Sequence, residues 1–285
     1  MLEKDVEQHY GGCSSDLEEK ILGTLRQKGK DIHNLKLADL SDLDELHLLK
    51  QEATGEMASL LNLRPETRVL DAGSGLGGPS RFIASEYGCY VTGIDLTGEF
   101  CEVARSFARR FGLQDKLSYL QGTVLDLPFE ANSYDVVWTQ HASMNIREKV
   151  LFFSELARVL KPGGFLACFD IIAGSGEPVV YPVSWAESEK ISFLASQEDQ
   201  LQAISQSGFE ILSCDDRSQK ALAWLEAVLE KQLNEEETAS LTYKLLLGER
   251  MNTMMSNQIK NFQTGRTKVV QIIARKPDEE MSFIE

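Results

Sequence analysis

The sequence has no apolar run long enough to cross a bilayer: its most apolar stretch, Phe165 to Ala173, is short and interrupted by Asp170. The amino terminus, Met1-Leu-Glu-Lys-Asp5, is acidic and lacks the basic-then-apolar plan of a secretory leader. Its five cysteines (Cys13, Cys89, Cys101, Cys168, Cys214) show no C-x-x-C spacing, and several lie in apolar stretches where a thiol packs as a small hydrophobe. The four histidines (His9, His33, His47, His141) lack metal-ligand spacing, so no metal site is expected. Basic residues are scarce: 29 Lys and Arg face 44 Asp and Glu, a formal net charge of −15 with no basic cluster. Such a surface repels phosphate backbones and anionic lipid headgroups, so neither nucleic acid nor membrane is an expected partner. Reduced thiols and the missing leader together suggest a soluble, cytoplasmic protein.

What the chain does contain is an alternation of short β-rich runs with amphipathic ones, beginning at Arg68. Strands are predicted at Arg68 to Asp71, Tyr90 to Asp95, Leu117 to Gln121, Tyr134 to Thr139, Gly164 to Ile172, Phe209 to Cys214 and Lys268 to Ala274. Helices are predicted near Gly78 to Tyr87, Glu99 to Phe111, Glu148 to Leu160 and Glu198 to Ser207; Val150, Phe153, Leu156, Ala157 and Leu160 show the helical spacing. The implied fold is α/β, a mostly parallel seven-stranded sheet of Rossmann type with helices on both faces. Residues 1–61 read as an N-terminal helical cap with amphipathic patches at Leu17 to Leu25 and Asp44 to Leu63. The core is placed at 62–215, a helical insertion at 216–266, and the last strand with an acidic tail at 267–285. If the last two strands pair, the insertion sits between sheet neighbours as a lid or as a plain packing pair.

Val69-Leu-Asp-Ala-Gly-Ser-Gly-Leu-Gly-Gly78 carries a strand into glycines and straight into a helix. Glycines let the backbone turn sharply and let a ligand approach it without meeting a Cβ atom. As a bare pattern, Gly73-x-Gly75-x-x-Gly78 fits a nicotinamide dinucleotide as well as other nucleoside cofactors. Asp71 separates them: a carboxylate at that strand end repels a diphosphate but attracts an ammonium group. Asp95 closes the second strand, where an acidic side chain accepts hydrogen bonds from ribose hydroxyls or simply caps the next helix.

With these residues in view, the chain resembles the class I S-adenosylmethionine (AdoMet)-dependent methyltransferases. The resemblance rests on Val69 to Gly78, Asp95, Gly122-Thr-Val-Leu-Asp-Leu-Pro-Phe129 before Ser133-Tyr-Asp-Val-Val137, and Arg158-Val-Leu-Lys-Pro-Gly-Gly164, covering about Met57 to Ile172. Within that class it is similar to the small-molecule branch of sarcosine/dimethylglycine, phosphoethanolamine and tocopherol-type enzymes, through Gly77-Gly78-Pro79-Ser-Arg81, Trp138-Thr-Gln-His-Ala142 and the helical insertion before Gly265-Arg-Thr-Lys268. The resemblance implies that Asp71, Gly73 and Gly75 surround the methionine part of AdoMet, Asp95 the ribose and the backbone near Val124 the adenine edge, with Leu96 and Thr123 also among the cofactor contacts; Gln140, at the carboxyl edge of the sheet, is expected to border the methyl group. The family often has an acidic residue where Thr123 stands, to accept the adenine amino hydrogen; Asp126 is the nearest substitute in sequence.

His141, after the fourth strand, is the candidate proton acceptor, or else an orienting residue. Met144 and Asn145 are candidates for the acceptor pocket, Tyr181 and Trp185 for an aromatic wall against a cationic amine, and Tyr10 and Arg266 for lid contacts, Arg266 suiting a substrate carboxylate. The implied reaction is direct in-line methyl transfer to a small-molecule amine nitrogen of betaine type, by a monomer or homodimer. The alternatives are O-, C- or S-methylation, an NAD-dependent oxidoreductase, and an AdoMet-binding protein that transfers no methyl group.

Overall fold

Runs rich in β-branched and aromatic residues form the strands, and because helices cover both faces the central ones are apolar almost throughout, with successive side chains pointing to opposite faces. The computed structural model describes residues 2–11, 16–234 and 248–278. Its strands are β1 (Arg68–Ala72), β2 (Tyr90–Asp95), β3 (Leu117–Gln121), β4 (Tyr134–Gln140), β5 (Leu160–Ala173), β6 (Glu210–Asp216) and β7 (Thr267–Arg275). They form one sheet in the order β3-β2-β1-β4-β5-β7-β6. The pairs from β3 across to β5 are parallel, whereas β7 runs antiparallel to both β5 and β6. The chain leaves β1 outward to β2 and β3, then returns to the other side at β4, so a crevice opens between β1 and β4 at their carboxyl ends.

Helices α1 (Leu2–Gly11), α2 (Leu17–Gln27), α3 (Leu37–Asp44) and α4 (Lys50–Ser59) precede the sheet. The remainder are α5 (Gly78–Tyr87), α6 (Gly98–Arg110), α7 (Lys149–Val159), α8 (Gln197–Gln206), α9 (Ser218–Asn234) and α10 (Met251–Gln263). Strand β5 shows how the two faces are filled. Ala167, Phe169 and Ile171 join a core cluster with α4, α5, α6, α9 and α10, while Leu166, Cys168 and Ile172 join a second one with α7 and α8. The fold is therefore the expected Rossmann-like one, helices covering both faces of the sheet.

The expected pairing of the last two strands is present, with α9 and α10 as the described parts of the insertion between them. Both helices contribute fully or nearly buried side chains to the core, Ala221 and Leu225 from α9, Met251, Met255 and Ile259 from α10. Residues 235–247 of the expected lid, Cys13 and the end of the acidic tail lie outside the described residues.

One helix differs from expectation. The pattern from Asp44 to Leu63 predicts a single helix, but α4 starts at Lys50. Asp44, Glu45 and His47 are all buried. Asp44, the last residue of α3, pairs with Arg81 of α5, while Glu45 Oε2 lies 3.0 Å from His47 Nε2 and accepts the Thr54 hydroxyl at 2.9 Å. Glu45 and His47 thus turn inward together to a partner on α4, and between α3 and α4 the chain runs irregularly and turns through left-handed Leu49 and Lys50, φ 61° and 46°.

The Arg81–Asp44 pair ties this cap to α5. Arg81 also donates to the Leu76 carbonyl at 2.7 Å and lies 5.6 Å from the Phe107 ring centroid. Burial pushes the Asp44 carboxyl up to about 6, against the opposing pull of Arg81. Breaking one member of a buried pair strands the other, so Arg81→Met should lower the unfolding free energy at pH 7.5 by about 3–5 kcal/mol in urea titrations. An unchanged midpoint would mean that the cap is held without this pair.

Candidate active site

The turn after β1 is built by left-handed glycines, Gly73 at φ 83° and Gly75 at φ 51°. At Gly73 a Cβ atom would stand 2.7 Å from Ala142 Cβ, so the close approach of the β1 and β4 loops itself requires glycine. The N–H groups of Gly73 and Ser74 both donate to the Ile94 carbonyl, at 2.9 and 3.1 Å. The Gly75 N–H donates to Asp95 Oδ2 and the Thr97 N–H to Asp95 Oδ1, each at 2.8 Å. The Asp95 carboxylate thus bridges the glycine turn and the start of α6, combining a capping role with a place on the crevice wall. Burial raises its carboxyl above the usual range, opposed by these two backbone donors.

A cavity of about 650 Å³ opens here, within the size range of small-molecule sites. Asp71, Gly73, Gly75, Asp95, Leu96, Thr123, Val124 and Gln140 all line it, so the two strand-terminal carboxylates face one shared crevice. Asp71 is 2% exposed and accepts the Ser80 hydroxyl at 2.6 Å. Burial pushes its carboxyl up to about 7, with Ser80 opposing and the Asp95 charge adding to the rise. A buried carboxylate of this kind gains from a cationic group brought beside it. Thr123 borders the far end, where Gly122, Val124 and Leu125 also lie. Asp126 is exposed and outside the lining, so it does not take the place expected of a substitute for an acid at Thr123.

The opposite end is walled by Tyr10, Met144 and Asn145, joined by Leu46 and His47 from the cap. Asn145 is fixed by three bonds: its Nδ2 donates to the carbonyls of Trp185 (2.9 Å) and Ile191 (2.8 Å), and its Oδ1 accepts the Tyr10 hydroxyl (3.0 Å). Gln140 is held through Oε1, which accepts from Trp138 Nε1 at 2.8 Å and lies 3.3 Å from Thr54 Oγ1.

His141 also lines the cavity, but its ring is committed to the fold. It stacks on Phe169 with centroids 5.2 Å apart, its Nδ1 lies 3.2 Å from the Phe169 carbonyl, and Nε2 accepts the Leu48 N–H at 3.4 Å. The carbonyl fixes the proton on Nδ1, leaving Nε2 as the acceptor. Burial, together with the neighbouring His47, pushes the imidazole down to about 3. Of the two roles open to it in the sequence, orientation matches this geometry and proton acceptance does not. Its backbone is left-handed at φ 52°, a conformation costly for a residue other than glycine and sustained here by these bonds.

Three expected pocket residues stand elsewhere. Trp185 is fully buried and donates Nε1–H to Ser192 Oγ at 2.9 Å; Tyr181 packs against the same core, and neither lines the cavity. They are packing residues, and the aromatic wall they were expected to form is absent from this cavity. Arg266 donates to the Pro178 carbonyl and to Glu177 at 2.8 Å, so its carboxylate partner is the protein's own. Sequence reasoning missed Glu3, Leu46, His47 and Phe100 on the cavity wall. The first three come from the cap, and nothing local in the sequence announces a contact spanning most of a hundred residues.

Residues 70–168 match the family model described as a methyltransferase domain. A glycine/sarcosine/dimethylglycine N-methyltransferase of Actinopolyspora halophila is 33% identical over 130 residues, 46% of this chain and 23% of that protein. A sterol 24-C-methyltransferase of Gibberella zeae is 31% identical over 170 residues, 56% of this chain and 44% of that one. The chain therefore spans less than half the length of either relative. The solved phosphoethanolamine N-methyltransferase 2 of Haemonchus contortus, in complex with phosphomonomethylethanolamine and S-adenosylhomocysteine, superimposes with a TM-score of 0.72. At 21% identity, over 82% of this chain and 55% of that one, it shares the fold.

The raised Asp71 carboxyl has a consequence for stability. Between about pH 4 and 7 the folded protein keeps a proton that the unfolded chain has released, so stability falls as pH rises through that window. The limiting slope from this one group is about 1.4 kcal/mol per pH unit. Asp71→Asn removes it, so urea midpoints measured from pH 4.5 to 8 should move in favour of the variant as pH rises. Parallel curves for the two proteins would show that Asp71 ionises as easily in the fold as outside it.

Proposed function

We propose that the chain, whose residues 70–168 match the methyltransferase-domain model, transfers the methyl group of AdoMet to a small-molecule acceptor. The observation that carries this reading is the pair Asp71 and Asp95, set on either side of a glycine turn in one crevice. Asp71 would receive the methionine ammonium and Asp95 the ribose hydroxyls, with Leu96, Thr123 and Val124 beside the adenine and Gln140 towards the methyl. AdoMet supplies a sulfonium methyl: an acceptor lone pair forms the new bond to carbon as the carbon–sulfur bond breaks, and sulfur keeps the electron pair. The protein's part is alignment and exclusion of water, which Tyr10, Met144 and Asn145 would provide at the acceptor end. A dinucleotide would put its diphosphate against Asp71, which opposes the oxidoreductase alternative.

For the acceptor atom we favour an amine nitrogen, supported by the 33% identity to the N-methyltransferase stretch. A second reading, methylation at carbon, is favoured by the apolar wall of Leu46, Met144, Ile146 and Leu151 and by the sterol methyltransferase relative. Since neither Trp185 nor Arg266 reaches the cavity, a betaine-type acceptor would rely on Tyr10 and Phe100 for contact with its cation.

Isothermal titration with AdoMet, S-adenosylhomocysteine (AdoHcy) and NAD tests the cofactor: binding of the first two is expected, and a preference for NAD would reject the reading. Asp95→Ala should weaken AdoMet by about 1–3 kcal/mol through lost hydrogen bonds to ribose. With methyl-labelled AdoMet and an acceptor panel, label on nitrogen is the expected product. Label found only on carbon, oxygen or sulfur would refute the nitrogen assignment, and AdoMet binding with no transfer to any class would favour a protein that holds AdoMet for another purpose.

A further inference from the structure

The cavity ends, beyond Asp95, in the loop after β3, and the side chain presented there by a distant part of the chain is Glu3 of α1. Its Oε1 accepts the Thr123 hydroxyl proton at 2.5 Å, and the same hydroxyl accepts the Leu125 N–H at 3.1 Å. The Thr123 hydroxyl thereby donates to Glu3 and accepts from Leu125, so the Glu3 carboxylate, with its four lone-pair sites, is the stronger side-chain acceptor at this end of the crevice. Helix α1 is fixed over the cavity at several points. Tyr10 donates to Asn145 at 3.0 Å, His9 Nε2 lies 3.0 Å from the Ser184 carbonyl, and Gln121 donates to Glu7 at 3.4 Å.

A nucleoside held by its ribose at Asp95 and by its amino acid at Asp71 must project its base away from Asp71, towards this end. An adenine offers there an exocyclic amine, a donor that an ionised carboxylate accepts more strongly than a neutral threonine hydroxyl does. We propose that Glu3, carried in on the N-terminal helix and braced by Thr123, binds the adenine amino group and so makes α1 part of the cofactor site. The proposal rests on the AdoMet reading above. It gives α1 two jobs at once, since Tyr10 on the same helix borders the acceptor end.

The test uses AdoHcy, whose net charge is zero at neutral pH, against its purine-riboside analogue, which has hydrogen in place of the 6-amino group. Titration calorimetry on the full chain should show that Glu3→Ala loses roughly three- to tenfold in affinity for AdoHcy, because the carboxylate is exposed, and nothing for the analogue. The preference of the wild type for the amino ligand should collapse accordingly. Thr123→Val, which leaves Glu3 unbraced, should reduce the same preference in part. Asp5→Ala, an equal change of charge on the same helix outside the cavity lining, should leave it intact. An unchanged preference in Glu3→Ala, or a collapse produced instead by Glu148→Ala, another carboxylate on the cavity lining, overturns the proposal while AdoHcy binding stands. A wild type that binds neither ligand overturns the AdoMet reading and this proposal with it.

Discussion

Three backbone N–H groups of the turn after β1 donate to the end of β2, and the rest of the site depends on them. Two N–H groups, of Gly73 and Ser74, converge on the Ile94 carbonyl, while the N–H groups of Gly75 and Thr97 share the Asp95 carboxylate. A carboxylate that accepts from both a glycine turn and the next helix start cannot swing away from the crevice. The same bonds set the turn at the distance where Gly73 meets Ala142 of the β4 loop, leaving no space for a side chain. Parallel pairing of β1 with β2 and β4 then fixes the positions of Asp71, Asp95 and Gln140 relative to one another.

The N-terminal cap completes what the sheet leaves open. Arg81 and Asp44 join it to α5, and the buried group of Glu45, His47, Thr54 and Gln140 joins it to the end of β4. Such a network has low tolerance for loss of a member, because each polar atom left alone in the interior costs its full desolvation. Helix α1 lies further out and spans the crevice from Thr123 to Asn145. The two ends of the crevice are therefore covered by one short helix, so ordering at one would be felt at the other.

Much of this was legible in the sequence, for reasons that differ by residue. Strands announce themselves as short β-rich runs between helical ones, and Asp71, Gly73, Gly75 and Asp95 lie within one strand–turn–helix–strand unit whose geometry is local. The bounds of β5 were harder, since Leu160 pairs with Tyr134 across a register shift that the alternation does not record. Glu45 to Leu49 read as helix because their apolar spacing is helical, and Thr54, the partner towards which Glu45 turns, comes from another element. Trp185 and Arg266 carry the same chemistry whether they face a substrate or the protein, and only their neighbours, Ser192 and Glu177, decide. Glu3 was invisible for the opposite reason: its partner Thr123 is 120 residues away.

The central claim is that Asp71 and Asp95 hold the two ends of one sulfonium nucleoside. A crystal structure of the AdoHcy complex tests it directly. The account predicts both ribose hydroxyls within hydrogen-bonding distance of the Asp95 carboxylate and the homocysteine ammonium on the Asp71 side of the glycine turn. Electron density that places the nucleoside outside this crevice, or in it with the ribose turned away from Asp95, would contradict it.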